Sequence, residues 1–210
     1  MTGDLTRDAF LGGKIHLYQP VSGYRAGVDP VILAATVPAV SGQTVLDLGC
    51  GVGAAALCLG ARVPGLRLTG VEVQPEYAEL ARRNGGGNFE VICADVADMP
   101  LKVRDRLFDH VVVNPPYYDR AASKATALPG RETALGETLP LADWIKIGAR
   151  RVAPKGYFHL IHRAERLPEI ISSLAPRLGS IEVLPIAPLS LIHISEPTRP
   201  RLVSRMPSSA

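Results

Sequence analysis

The sequence predicts an open α/β domain: a doubly wound, mostly parallel sheet with helices on both faces. Three observations carry this. Short apolar runs alternate with helix-length segments over most of the chain, the signature of strand–helix–strand crossovers, which are right-handed. One run, Val45 to Leu48, leads directly into the glycine-rich turn Gly49-Cys50-Gly51-Val52-Gly53. Three acidic residues, Asp47, Glu72 and Asp95, stand at or near the ends of successive apolar runs, and the carboxyl ends of strands are where open α/β sheets bind ligands.

Each element has a local cause. Lys14 to Gln19 reads as one arm of a hairpin in a Gly- and Pro-rich amino-terminal stretch. Asp29-Pro30 reads as a helix start, with a capping acid followed by proline at the first helical position, and Pro38 ends that helix after about Val37. The core then alternates: strand Thr44–Leu48, helix from about Val52, strand Leu66–Val71, helix Pro75–Asn84, strands Phe89–Cys93 and Phe108–Val113. Tyr118 to Pro140 lacks periodicity, and a loop of that length in a compact domain is usually functional or disordered. Helix Leu141–Val152, strand Tyr157–His162, helix Ala164–Leu174 and strand Ser180–Pro185 follow. No repeat is present.

With 210 residues, 47% hydrophobic and 20% charged, the chain suits one domain with a real core. No apolar stretch approaches the ~20 residues that span a bilayer, and Asp4, Arg7 and Asp8 interrupt the amino end where a signal peptide would be apolar. A cytoplasmic location is the expectation. Cys50, Cys58 and Cys93 lack metal-type spacing and are expected as small buried residues. His159 and His162, three apart in a strand, should face opposite sides and make a poor metal pair. No metal site is expected. Of the formal charge of +3, Arg199, Arg201 and Arg205 against Glu196 contribute +2, so bulk charge does not argue for a nucleic-acid partner.

The chemistry is concentrated in Asn114-Pro115-Pro116-Tyr117, directly after the strand ending at Val113. Two prolines cannot donate to a sheet and hold the preceding residues extended, so the strand ends in a stiff turn. Such a turn can present the Asn114 amide and the Pro115 carbonyl beside the Tyr117 ring. Acceptors beside a flat ring suit a planar amino group while its nitrogen is attacked by an electrophile. Upstream, Asp47 with Gly49, Gly51 and Gly53 departs from a dinucleotide turn, which carries a third glycine further on. A carboxylate there favours an ammonium group over a pyrophosphate. Glu72 at the next strand end can accept from ribose hydroxyls, and Asp95 from an adenine amino group. Together these describe a site for S-adenosylmethionine, although Glu72 and Asp95 also read as helix or turn caps.

At these residues the chain resembles the class I, seven-stranded, Rossmann-like methyltransferases, in the amino-methylating branch that carries Asn-Pro-Pro-Tyr. Asp8-Ala9-Phe10-Leu11-Gly12-Gly13, Tyr18-Gln19-Pro20, Gly23 to Ala35, Gly130-Arg131-Glu132-Thr133 and Ile161 to Pro168 are similar to the bacterial tRNA adenine-N6 methyltransferases, which modify the adenosine 3′ of the anticodon of a valine tRNA. The match covers roughly the first 186 residues. The resemblance implies transfer of a methyl group to the exocyclic N6 of an adenine in RNA, with Asn114, Pro115, Pro116 and Tyr117 as catalytic residues. It implies Asp47, Gly49, Gly51, Gly53, Glu72, Asp95 and Asn114 at the cofactor. It also places Tyr24 and Asp29 over the cofactor pocket, with Asp29 equally readable as a simple cap. Arg120, Lys124 and Arg131 flank the active-site loop and are expected at RNA phosphates. Trp144 and Arg82-Arg83 read as core packing and solvated helix surface. Protein-glutamine methylation is the alternative, since a carboxamide fits the same turn. The short segment ahead of the first core strand disfavours it, because those enzymes typically carry a separate helical domain there. A non-catalytic S-adenosylmethionine-binding fragment is the third reading.

The expected organisation is an amino-terminal hairpin and helix over residues 1–40, a methyltransferase core over 41–188 and an aberrant tail over 189–210. Leu189 to Pro200 resembles the translation of a sequencing adapter, and Pro197, Pro200 and Pro207 argue against a central strand. The tail is therefore expected to be disordered, leaving the sheet without its native last strand.

Overall fold

The computed structural model describes residues 4–117 and 139–186 and the backbone of 201–207. Two strands, β1 (Leu5–Phe10) and β2 (Ile15–Pro20), form an antiparallel hairpin of their own. The elements that follow are α1 (Asp29–Thr36), β3 (Thr44–Leu48), α2 (Ala54–Arg62), β4 (Arg67–Glu72), α3 (Pro75–Gly85), β5 (Phe89–Cys93), a short α4 (Leu101–Arg104) and β6 (Phe108–Val113). After them come α5 (Leu141–Ala149), β7 (Val152–Arg163), α6 (Leu167–Leu174), β8 (Glu182–Ile186) and β9 (Arg201–Pro207). The main sheet runs β5-β4-β3-β6-β7-β9-β8. Its first five strands are parallel, and β9 runs antiparallel to both neighbours.

Alternation within the strands sends apolar side chains to two separate cores. Leu46, Leu48, Val111, Val113, Phe158 and Leu160 meet α5 and α6 on one face. Val45, Val112 and Ile161 meet α1, α2 and α3 on the other. A parallel sheet covered on both faces is the doubly wound arrangement expected from the sequence. The β3 strand is thus buried on both sides, and its carboxyl end opens onto the glycine turn.

The structure corrects the expected tail. Residues 187–200 lie outside the described residues, but Arg201–Pro207 is a strand of the sheet, so a closing strand is present. Every residue from Arg201 to Pro207 has a partner on β7, and Arg201 to Arg205 also pair with β8. The prolines delimit this strand: Pro200 precedes it and Pro207 is its last residue. The edge of β7 offers a full row of backbone groups, and such an edge recruits a strand. Pro185 lies inside β8, which is tolerated because β8 is the outer edge of the sheet.

Smaller differences have local reasons. β7 begins at Val152, five residues before the expected Tyr157, with Lys155 at a positive φ and a register shift against β6. Cys93 is exposed while Cys50 and Cys58 are buried. Arg82 is no simple surface residue, since its guanidinium donates to the Val91 carbonyl, and Arg83 lies 3.5 Å over the Tyr18 ring. Among the described residues no helix is long and apolar enough to cross a membrane, and no cluster of three or more His, Cys, Asp or Glu could hold a metal ion.

Candidate active site

The ends of β4, β3 and β6 lie side by side. Leu48, the last residue of β3, pairs with Val71 on one side and Val113 on the other. The chain then turns: the Gly49 and Cys50 amides both donate to the Val71 carbonyl, at 2.8 and 3.0 Å. Asn114 therefore emerges next to Gly49, so the Asn-Pro-Pro-Tyr turn and the glycine turn are neighbours.

Glycine is required here for two reasons. Gly49 has φ +70°, and a Cβ on it would sit 2.8 Å from the Trp144 ring. Gly53 has φ +88° and would meet Phe89 at 2.8 Å. Both positions combine a left-handed backbone with a packed aromatic neighbour. Trp144, half-buried against the core, thus also packs on the glycine turn.

Two carboxylates lie beneath this turn. Asp47 is 2% exposed and accepts from the Ala56 amide in the first turn of α2 at 3.1 Å. Burial pushes its carboxyl up to about 7, opposed by the Ala56 amide and reinforced by the Glu72 charge. Glu72 is 6% exposed and accepts from the Gly51 amide at 2.9 Å and the Gln74 amide at 2.8 Å. Burial raises its carboxyl as well, against those amides. Glu72 thus braces the glycine turn itself, a role its sequence position alone did not disclose. Among the described residues, no lysine or arginine is ion-paired with either carboxylate. Two buried acids without a protein cation suit a ligand that brings its own positive charge, as the ammonium and sulfonium of S-adenosylmethionine do.

Asp95 is exposed and accepts from the Ala97 amide at 2.8 Å, capping a short 3₁₀ turn. Its capping role is realised, at the end of β5 adjacent to Glu72. Val73, directly after Glu72, is 56% exposed. An exposed β-branched residue at a strand end offers an apolar face to a planar group, and the sequence reading passed over it.

The hairpin side brings further residues in. A Cβ on Gly51 would lie 3.6 Å from the Tyr24 ring, so Tyr24 overhangs the glycine turn. Burial, then the charges of Asp29 and Asp47, push its hydroxyl up to about 12. The Tyr24 carbonyl accepts from the Tyr77 hydroxyl at 3.0 Å. A network holds this segment: Gln19 donates to Asp8 at 2.6 Å and accepts from the Ala26 amide at 2.8 Å, and Arg25 pairs with Asp8 at 2.6 Å. Asn84 ties the hairpin to the turn, donating to the Tyr18 and Val52 carbonyls. Asp8, Gln19 and Arg25 belong to the stretches that carry the family resemblance, and their work is to position Tyr24 to Asp29.

Tyr117 lies where these parts meet. Its hydroxyl is 2.9 Å from Asp29 Oδ2 and 3.1 Å from Asn114 Oδ1. Its ring meets His162 edge-on at 5.0 Å, and the Arg163 guanidinium is 5.6 Å from its centroid. His162 is 1% exposed, and burial pulls it down to about 4, so the ring is neutral at pH 7. His159 faces the other side, 3.1 Å from His110. Arg120, Lys124 and Arg131 lie outside the described residues.

Comparisons with known proteins point the same way. A model of the methyltransferase small domain matches residues 26–129. A tRNA1(Val) (adenine(37)-N6)-methyltransferase of Porphyromonas gingivalis is 30% identical over 198 residues, covering 85% of this chain and 76% of that protein. The enzyme of the same name from Cronobacter sakazakii is 30% identical over 182 residues, covering 83% and 73%. Among solved structures, one described as a predicted O-methyltransferase from Agrobacterium tumefaciens superimposes with a TM-score of 0.66 at 28% identity, covering 86% of this chain and 81% of the other. TrmN from Thermus thermophilus superimposes at 0.57 and 18% identity, over 85% and 48%, a likeness of fold alone.

Proposed function

This chain belongs to the S-adenosylmethionine-dependent methyltransferases, in the family of the tRNA1(Val) (adenine(37)-N6)-methyltransferases, and from that premise we propose that it methylates the N6 amino group of an adenine in RNA, with a tRNA anticodon loop as substrate. The observation that carries the proposal is the Asn-Pro-Pro-Tyr turn next to the glycine turn, placed by the pairing of Leu48 with Val113.

S-adenosylmethionine supplies an electrophilic methyl group when bound. Asp47 and the backbone of Gly49 to Gly53 would hold its amino-acid end, Glu72 its ribose, and Asp95 with Val73 its adenine. Tyr24 and Asp29 lie on the hairpin side. The N6 lone pair of adenine is delocalised into the ring and is a poor nucleophile. Asn114 Oδ1 and the Pro115 carbonyl accept from the amino group, favour a more tetrahedral nitrogen and stabilise the positive charge that develops on it, a preorganised electrostatic effect. The Tyr117 ring stacks on the base, and the stiff Pro115-Pro116 turn keeps the acceptors in register. No strong base is needed, because the methylated amine is acidic enough to lose its proton to water. A loop nucleotide is cheaper to unstack than a paired one. The hairpin and α1 form an extension over the cofactor side of the core, and Arg120, Lys124 and Arg131 are retained as phosphate contacts.

Incubation with methyl-labelled cofactor, total cell RNA and a glutamine-containing release-factor peptide tests this choice of acceptor. Label is expected in RNA. Label in the peptide alone overturns the reading in favour of glutamine methylation.

The raised Asp47 carboxyl makes a pH prediction. Without cofactor, a group titrating near 7 is largely protonated at pH 6 and largely ionised at pH 8. A cation bound beside it favours the ionised form, so binding releases a proton and affinity rises with pH up to about 7. About a tenfold gain is expected between pH 6 and 7.5, and Asp47→Asn should abolish it. Calorimetry in buffers of different ionisation enthalpy measures both. A flat profile in the unaltered protein removes Asp47 from the cofactor's charged end.

A further inference from the structure

Asn84, near the end of α3, directs its carboxamide at two segments far from it in sequence. Its Oδ1 accepts from the Tyr18 amide at 2.8 Å, 66 residues away. Its Nδ2 donates to the Tyr18 carbonyl at 3.1 Å and to the Val52 carbonyl at 3.0 Å. Both amide hydrogens are thus engaged. Among the described residues β2 pairs with β1 alone, so on its outer edge Asn84 does for Tyr18 what the peptide group of a neighbouring strand would do. Val52 lies inside the glycine turn, flanked by Gly51 at φ +55° and Gly53 at φ +88°. Glycine adopts either sign of φ at little cost, so the peptides of this turn need to be fixed from outside. The Val71 carbonyl takes the Gly49 and Cys50 amides, Glu72 takes the Gly51 amide, and the Cys50 carbonyl takes the Gly53 amide at 2.8 Å. The Val52 carbonyl is taken by Asn84, whose other two contacts go to the hairpin.

We propose that Asn84 is a positioning residue for cofactor binding: by tying the Tyr18 backbone to the Val52 carbonyl, it makes docking of the hairpin and the ligand-binding shape of the glycine turn one linked equilibrium. The inference rests on the reading of Gly49 to Gly53 as the cradle of the cofactor's amino-acid end. Linkage is reciprocal: a docked hairpin raises cofactor affinity, and bound cofactor holds the hairpin down by the same factor. Apolar packing converges on the same place. Leu17, next to Tyr18, is buried with Val52, Ala54, Tyr77 and Leu80, and the Arg83 guanidinium covers the Tyr18 ring at 3.5 Å. The link extends along the chain to Tyr24, whose ring overhangs Gly51 and whose carbonyl accepts from the Tyr77 hydroxyl. The hairpin is therefore joined to the turn both through its backbone and through the segment that follows it.

Two substitutions separate this role from that of a simple brace. Asn84→Ala removes all three hydrogen bonds. Asn84→Asp keeps the shape and the acceptor for the Tyr18 amide but has no hydrogen for either carbonyl. Calorimetric affinity for S-adenosylhomocysteine should fall about tenfold in each, the scale of one to two lost hydrogen bonds. Turnover of an unmodified valine-tRNA transcript at saturating cofactor should stay within about threefold, because Asn84 touches none of the atoms assigned to the transfer. The decisive readout is hydrogen exchange of the Tyr18 amide, followed by NMR with and without saturating S-adenosylhomocysteine. In the unaltered protein the ligand should slow this exchange about tenfold. In Asn84→Asp, where the amide keeps its partner, the ligand should change it by less than about twofold. A residue that only stabilised the fold would lower the urea midpoint and leave the ligand-dependent protection intact. Equal protection in the two proteins overturns the inference, as does unchanged affinity in both variants. If neither variant folds, the unaltered protein still decides: a Tyr18 amide indifferent to the ligand overturns the link. Full affinity in Gly51→Val overturns instead the reading of the glycine turn as the cofactor's cradle.

Discussion

Replacing Asn114 with alanine is expected to reduce methyl transfer by about 10²–10³-fold, by analogy with removal of one preorganised hydrogen-bonding group from an active site. Cofactor affinity should be nearly unchanged. The two effects separate because Asn114 follows β6, while Asp47 and Glu72, the carboxylates proposed for the cofactor, lie at the ends of β3 and β4. The Asn114 oxygen lies 3.1 Å from the Tyr117 hydroxyl, so the substitution also removes that contact. Single-turnover kinetics with labelled cofactor, alongside calorimetry, measure both quantities. A variant that transfers at the normal rate contradicts the mechanism. A variant that loses cofactor affinity in proportion to rate assigns Asn114 to the cofactor instead.

Ending the chain before Arg201 is expected to lower the unfolding free energy by several kcal/mol, at the ~0.5–1.5 kcal/mol net of each lost backbone hydrogen bond. Strand β9 sits between β7 and β8, and among the described residues β8 has no other neighbour in the sheet. Its removal thus strands β8 and bares the β7 edge from Tyr157 to Arg163. That edge is a template for association between chains. The midpoint of urea unfolding and the sedimentation behaviour of the truncated protein read the two consequences. An unchanged midpoint with no association contradicts the placement of β9. Limited proteolysis offers a second view: Arg201 and Arg205 should resist trypsin in the full chain.

The alternation of strands and helices was legible because each unit is local. Apolar runs, the glycine turn and the helix start near Pro30 all lie within a few residues of the structure they specify, although the cap falls at Val28 and Asp29 is the first helical residue instead of the cap the sequence suggested. β9 was misread because its reason for existing lies elsewhere, in the unfilled edge of β7. Counting prolines in Leu189 to Ala210 treated Pro200 and Pro207 as interruptions when they mark the strand's limits. The candidate site shows the same division. Asp47, Glu72 and Asn114 could be picked out because strand ends are local features. That Glu72 braces Gly51, that Gly49 makes room for Trp144, and that Asp29 meets Tyr117 depend on contacts distant in sequence. Asp95 was ambiguous for a physical reason: a carboxylate after a strand can cap the next turn and face a ligand with the same group, and the cap is present.

The most direct test of the central claim is the identity of the product. The protein is incubated with RNA lacking the modification and S-adenosylmethionine bearing a deuterated methyl group, and the RNA is digested to nucleosides for mass spectrometry. The account predicts deuterated N6-methyladenosine, formed about 10²–10³-fold more slowly when Asn114→Ala replaces the unaltered enzyme. Deuterium on a ribose oxygen, on another base or on no nucleoside at all would contradict it.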